Sequence, residues 1–242
     1  MLRLNRYQWT VLFAAWLGWG FDIFDGLLFN YVAPNAIPTL LDLPLGSAEA
    51  RAATLYWTGL ITAIFLVGWA VGGVLFGPIS DRYGRRRVLM WTMVLYALGT
   101  GLCAFVTSIE QLILCRIIAS LGIGGEWAAG CALVAEAVPE DQRVEAGALL
   151  YTAAPFGLFL ATFVNAQVAG NWFSDMPAVS WRYVLIFGLL PAAAAFFVRL
   201  FIKEPERWQH AATNAAPPRI RELFSPELWP RTRSALLTTI VA

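Results

Sequence analysis

Residues 77–89 read GPISDRYGRRRVL, a polar and basic turn set between two uncharged apolar runs, 56–76 and 88–107. Each run is near the roughly 20 residues that a bilayer-spanning helix needs, so the stretch is read as a short loop joining two transmembrane helices. Arg82, Arg85, Arg86 and Arg87 crowd into that loop. An excess of Arg and Lys in a short connection marks the cytoplasmic side.

Further apolar stretches of spanning length lie at 9–33, 111–135, 146–169 and 181–202. The strands of a membrane barrel are only about 10 residues long and alternate apolar with polar, so the fold class is all-α and polytopic, with six transmembrane helices. Composition agrees: 59% of residues are hydrophobic and 14% charged, against roughly 45–50% and 25% in soluble domains. Thirteen Arg and Lys residues, from Arg3 to Arg233, fall at the N-terminus, in the second and fourth loops and after the sixth span, while Arg51 and Arg182 alone fall on the other side. Both ends of the six-helix unit are therefore expected to be cytoplasmic, in the cell (inner) membrane. A net charge of +1 says nothing of nucleic acid, which is not an expected partner. Arg3 and Arg6 precede the first span as in a signal peptide, but that run is too long, lacks a cleavage pattern and is followed by other spans, so it is expected to be retained.

Cys103, Cys115 and Cys131 are odd in number and dispersed within spans, which fits packing and offers neither a disulfide framework nor a metal site. Neither metal nor cofactor is expected, and His210, in a polar stretch, anchors nothing. Residues 203–233, KEPERWQHAATNAAPPRIRELFSPELWPRTR, break the apolar pattern and are read as a linker with a short surface helix. The expected domains are thus a bundle at 1–202, the linker at 203–233, and at 234–242 the start of a seventh helix. That last piece, SALLTTIVA, is too short to cross about 30 Å at about 1.5 Å per residue, so the chain reads as cut there.

Within GPISDRYGRRRVL, Gly77 and Gly84 permit a tight turn, and Asp81 can accept from backbone N–H groups or an arginine. A basic topogenic loop accounts for the arginines but not for the Gly-x-x-x-Asp-Arg-x-Gly-Arg-Arg spacing. That spacing closely resembles the signature of the major facilitator superfamily, the twelve-helix secondary transporters. CRIIASLGIGGEWAAG (115–130) resembles the superfamily's arginine followed by close glycines, and EAVPEDQR (136–143) its loop after span four. KEPERW (203–208) resembles the segment after span six in sugar and metabolite porters, with Glu206 in place of Ser. Gly-Gly-Glu-Trp at 124–127 and the doubled Asp of span one are most similar to bacterial symporters that move carboxylates and related solutes with protons. Span five lacks the Gly-Pro element of drug antiporters, which disfavours export.

The resemblance covers the whole chain as the N-terminal half of such a transporter. It implies two inverted three-helix repeats, with span four the counterpart of span one, and a C-terminal half as the missing partner. It also implies a gating motif of Gly77, Asp81, Arg82, Gly84, Arg85, Arg86, Glu136 and Arg143, whose charges latch the two halves and part as the cavity opens inward.

GWGFDIFDGLLFN (18–30) places Asp22 and Asp25 in the middle of span one. A charge at a helix centre costs roughly 2.5–3.5 kcal/mol on insertion scales, so it is kept where it faces a polar cavity and has work to do. Three residues apart, the two share one helix face and form a coupled pair that can hold a proton. A structural hydrogen bond to a neighbouring helix is the plainer alternative. Arg116 and Glu126 in span four are ten residues apart, about 15 Å along a helix, and so are not expected to pair. Arg116 is expected to face a substrate carboxylate or one of the Asp residues, and the resemblance links it to proton coupling; Glu126 is either a gate or a packing residue. Asn30, Asn165 and Gln167 are the candidate polar substrate contacts. Gly68, Gly72, Gly73 and Gly77 let span two approach a neighbour closely. Trp9, Trp172, Trp181 and Trp208 are read as interfacial belts, while one or two of Trp16, Trp19, Trp57, Trp69, Trp91 and Trp127 are expected to line a cavity.

Gly122, Gly124 and Gly125 follow no strand and lie in a hydrophobic span, so they are no nucleotide loop, and no hydrolase or zinc-protease motif appears: the chain is not read as an enzyme. Two functions remain. One is a proton-coupled symporter of a small metabolite, an organic anion being favoured over a sugar or another solute. The other is a half-transporter acting as a membrane sensor or interaction protein. Its expected partners are the bilayer, protons and a small molecule.

Overall fold

A computed structural model describes residues 2–205, 208–209 and 220–241. Its helices are α1 (Arg6–Leu40), α2 (Ala48–Tyr83), α3 (Arg85–Cys103), α4 (Ile109–Ala137), α5 (Arg143–Tyr151), α6 (Ala153–Gln167), α7 (Pro177–Phe187), α8 (Leu189–Leu200) and α9 (Trp229–Val241). No strand occurs among the described residues.

Side-chain caps set where the long helices begin. Asn5 and Gln8 form a reciprocal box at the head of α1, each side chain accepting from the other's backbone N–H at 2.9 Å. Ser47 and Ser108 accept from Ala50 N and Gln111 N at the heads of α2 and α4. Each removes one of the donors that a helix start leaves unpaired.

The six expected spans are present as helices, with altered limits. α1 continues past residue 33 through Pro34 and Pro38 to Leu40. The expected fifth span is α5 and α6 plus a π-helical turn, Val168–Trp172, and the sixth is α7 and α8. Thr152 and Gly188 at the two breaks keep right-handed helical dihedrals, so the chain runs on without turning back. Among the described residues, five of these six spans are long and apolar enough to cross a bilayer. The other, α3, has 19 residues and opens on its three arginines, giving about 28 Å of helix.

The reading of 77–83 as loop is corrected. These residues form the last turns of α2, and the single residue Gly84 joins α2 to α3. Gly77 is therefore no turn residue, and a Cβ built there meets nothing within 4 Å. Gly84 does need to be glycine: its φ is +105°, and a Cβ would run into the Glu204 carboxylate.

α4 runs between α2 and α3, and α1 packs on α6, α4, α7 and α2. The most apolar windows of α1 and α4 are 61% and 56% buried against 22% for α2, which makes α1 and α4 the interior helices. Gly68 and Gly72 of α2 lie against Ser120 and the Leu121 backbone of α4, as their spacing implied. Phe24, Leu28, Ile37 and Trp181 close one end of the interior, while Val11, Leu12, Val88 and Leu133 close the other. Trp181 is fully buried and not part of a belt; its Nε1 donates to Ala178 O at 2.9 Å.

Of the linker, α9 opens at Trp229, ahead of residue 234, and packs on a 3-10 turn at Ile220–Phe224. Glu206, Arg207, His210 and Arg219 lie outside the described residues.

Candidate functional site

Between the two apolar ends, the described residues bury five charged side chains: Asp22, Asp25, Arg116, Glu126 and Arg199, each 5% exposed or less. They form two ion pairs. Arg116 Nη1 of α4 donates to Asp25 Oδ2 of α1 at 3.0 Å, and Thr100 of α3 donates to Asp25 Oδ1 at 2.6 Å. Arg199 Nη2 of α8 donates to Glu126 Oε1 of α4 at 2.5 Å. As expected, Arg116 and Glu126 do not meet, and Arg116 faces one of the aspartates.

Local packing fixes both pairs. The Arg116 guanidinium lies over the rings of Phe29 and Phe65, at 4.9 and 4.4 Å, which holds its plane and favours its charge. Around Arg199 and Glu126 the space comes from Gly18, where a Cβ would overlap both side chains.

Asp22 stands apart from both pairs. Its Oδ1 is buried without a hydrogen-bond partner among the described residues, as are Trp19 Nε1, Tyr96 OH and Glu126 Oε2. Asp22 also borders two cavities. A small one is shared with Trp19, Glu126, Trp127 and Arg199. The other, about 240 Å³, lies between α1, α2 and α4 and reaches Trp69 and Arg116. Trp19 packs against Trp127 in a tilted arrangement with centroids 4.2 Å apart, and Trp19, Trp69 and Trp127 line these two cavities.

The candidate polar contacts are not drawn into this cluster. Asn30 is exposed, Asn165 is half-buried, and half-buried Gln167 accepts from Asn171 at 3.1 Å. Arg199, by contrast, is a site residue that the sequence reading passed over, although it was a charge inside an expected span.

A second cluster sits at the end that carries the N-terminus. Arg85 donates to Glu136 through Nε at 3.1 Å and Nη2 at 2.8 Å, and its Nη1 reaches Ser80 Oγ at 2.7 Å and the Asp81 carboxylate. Burial works against the Arg85 charge, but the bonds to Glu136 and Asp81 outweigh it and hold its pKa above the ordinary arginine value. Glu204, beyond α8, accepts from the backbone N–H groups of Arg86 and Arg87, capping an α3 that has no cap of its own. Arg86 also donates to Leu200 O, and Trp208 donates to Asp81 O, so that tryptophan ties the segment after α8 to the α2–α3 corner. Arg143 pairs with Glu140 at 3.5 Å, and exposed Arg82 lies over Tyr83.

The chain matches the sugar (and other) transporter family over residues 10–218. A Haemophilus influenzae protein assigned to metabolite transport is 36% identical over 204 residues, which are 84% of this chain and 46% of that protein. The sialic acid transporter NanX of Escherichia coli is 30% identical over 206 residues, 85% of this chain and 46% of its own. The solved structure of the proton:xylose symporter XylE aligns with a TM-score of 0.74 at 23% identity, covering 85% of this chain and 46% of that one. This chain therefore spans about half the length of the curated relatives it matches.

Proposed function

The chain belongs to the sugar (and other) transporter family of the major facilitator superfamily, a family of multi-pass membrane transporters and not of enzymes, and from that premise we propose that it forms the N-terminal half of a proton-coupled symporter of a small organic anion. A second six-helix half supplies the opposite wall of the pathway, and the two alternate access across the inner membrane with the N-terminus in the cytoplasm.

The observation that carries this reading is a count of charge. Three buried carboxyls face two buried guanidiniums, and each guanidinium holds one carboxyl, Asp25 or Glu126. Among the described residues Asp22 makes no ion pair of its own, and an unpaired charge at this depth is costly. One proton on Asp22 makes the interior neutral, and that proton is the coupling ion. Arg116, with a fixed charge beside the larger cavity, favours an anionic substrate. Asp22, Gly26 and Asn30 follow one another at four-residue intervals, so Asn30 extends the same helix face as a polar contact. Asn165 and Gln167 would complete the contacts from α6. At the cytoplasmic end the Asp81, Arg85 and Glu136 cluster acts as the latch that parts when the cavity opens inward.

The likeness to a proton:xylose symporter supports a second reading, sugar symport on the same scaffold. The deciding experiment is uptake into proteoliposomes of labelled carboxylates and labelled pentoses under an inward proton gradient. It is run on the 242-residue chain and on that chain with any coding sequence that follows it. Gradient-driven uptake of a carboxylate supports the anion reading, uptake of a pentose alone supports the sugar reading, and silence from both chains moves the protein to the sensor class.

A further inference from the structure

Of the three cysteines, which the sequence disperses, folding brings two together. α3 and α4 run antiparallel and meet backbone to backbone where glycines allow it. A Cβ on Gly122 would stand 2.6 Å from Tyr96 N, and one on Gly99 would stand 2.5 Å from Ala119 N and 2.9 Å from Cys115 O. Tyr96 thus faces Gly122 and Gly99 faces Ala119, so steps of three and four along α3 match equal steps back along α4. The next facing positions in that register are Cys103 and Cys115. Cys103 is fully buried and donates from Sγ to Gly99 O at 3.2 Å, which restrains its rotamer; the Cys115 thiol is its other hydrogen-bond neighbour. Cys115 is half-buried at the edge of the same apolar cluster. Cys131 stands about 24 Å further along α4, out of reach of both.

We infer that Cys103 and Cys115 form a dithiol site that hydrogen peroxide converts to an intrachain disulfide, stapling α3 to α4 beside the residues that hold Asp25. Backbones this close suit the bridge, which needs Cα atoms about 4.4–6.8 Å apart. Cys115, the more open thiol, attacks one peroxide oxygen: the O–O bond breaks, an S–O bond forms, and the thiol proton leaves with the departing hydroxide as water. Cys103 then attacks the sulfenic sulfur of Cys115. The S–O bond gives way to S–S, and the second thiol proton leaves with hydroxide as a second water. The two thiols lose two electrons together, and one peroxide is reduced to two waters. Thr100, which donates to Asp25, lies three residues before Cys103, and Arg116, the other donor, directly follows Cys115. The staple therefore joins the two arms that grip Asp25, whatever solute is carried. The pair lies at the end of the bundle away from the N-terminus, the outer side in the orientation proposed above, where disulfides persist.

The test is hydrogen peroxide treatment of the purified chain in nanodiscs, with and without any following coding sequence, read by intact mass, peptide mapping and thiol counting after denaturation. The mass is expected to fall by two hydrogens and the free thiols from three to one, with residues 103 and 115 in one linked peptide pair that dithiothreitol separates. The melting temperature is expected to rise by roughly 5–10 °C on oxidation and to return on reduction. Cys131→Ser is expected to change none of this. Cys103→Ser and Cys103→Ala are expected to halt the reaction at a Cys115 sulfenic acid that dimedone traps. Three free thiols after treatment, a bridge through Cys131 or to a second chain, or an over-oxidised Cys115 with Cys103 still free overturns the site. A Cys103–Cys115 bridge that leaves the melting temperature unchanged overturns the staple.

Discussion

Arg199 on α8 and Glu126 on α4 meet at 2.5 Å inside the bundle, each 3% exposed, in a space kept open by the missing side chain of Gly18 on α1. Three helices far apart in sequence thus share one ion pair, and the pair ties the last described span of the bundle to its two interior helices.

Breaking that pair from one side should be much worse than removing it whole. Glu126→Gln or Arg199→Met leaves one charge buried and alone, at a cost of about 3–5 kcal/mol, whereas a neutral pair of similar volume costs little or even stabilises. The double variant should therefore recover most of the thermal stability that either single variant loses in detergent micelles. Gly18→Ala should behave as a single variant, because its methyl group displaces the guanidinium. A double variant no more stable than its worse parent would show that the pair is not an isolated unit.

Much of this arrangement was legible in the sequence, and the reasons for the remainder are physical. Span number followed from the lengths of uncharged runs, because a bilayer sets a minimum helix length. Asp22, Asp25, Arg116 and Glu126 stood out because a charge in such a run has to be justified energetically. Arg199 did not, since it lies three residues from the end of the expected sixth span, where an arginine reads as a snorkelling side chain. Which helix faces which is not written in any one helix, so the pairing of Asp25 with Arg116 could only be one option among two. The loop around GPISDRYGRRR was misplaced because Pro78 and the charged residues mimic a loop while α2 runs on to Tyr83. Trp181 sits near a helix start, as a belt residue would, and only packing shows it buried.

The two aspartates should separate in function despite being three residues apart. Asp22→Asn makes the odd carboxyl permanently neutral while both ion pairs stay intact, so proton-driven accumulation should be lost and exchange of preloaded substrate retained. Asp25→Asn removes the countercharge of Arg116, so both exchange and thermal stability should fall. Accumulation at the unsubstituted level in Asp22→Asn proteoliposomes would take that residue out of the coupling step.

The α2–α3 corner makes a separate prediction about stability. Glu204 caps two N–H groups of α3 from a segment more than a hundred residues later, and Gly84 supplies the positive φ that lets it approach. Glu204→Ala should cost about 1 kcal/mol, the usual worth of a helix cap. Gly84→Ala should cost more, about 1–3 kcal/mol, since it adds backbone strain to the collision with Glu204. In the double variant the collision is relieved and the strain remains, so its loss should be smaller than the sum of the two. Additive losses in thermal denaturation would mean that the carboxylate and the corner do not touch in the membrane.

Arg116→Lys tests whether charge alone suffices at the centre of the site. Lysine keeps the charge opposite Asp25, but its ammonium is a compact point on a flexible stem and has no plane to lie between Phe29 and Phe65. A desolvated cation–π contact is worth up to about 2 kcal/mol, so a stability loss of about that size is expected, with Thr100→Val losing a comparable amount through the Asp25 hydrogen bond. For transport, a carboxylate substrate should bind about tenfold more weakly to Arg116→Lys, because the planar fork that can hold two carboxylate oxygens at once is gone. Unchanged carboxylate affinity together with the stability loss would confine Arg116 to holding Asp25 in place and move substrate recognition to another wall of the pathway.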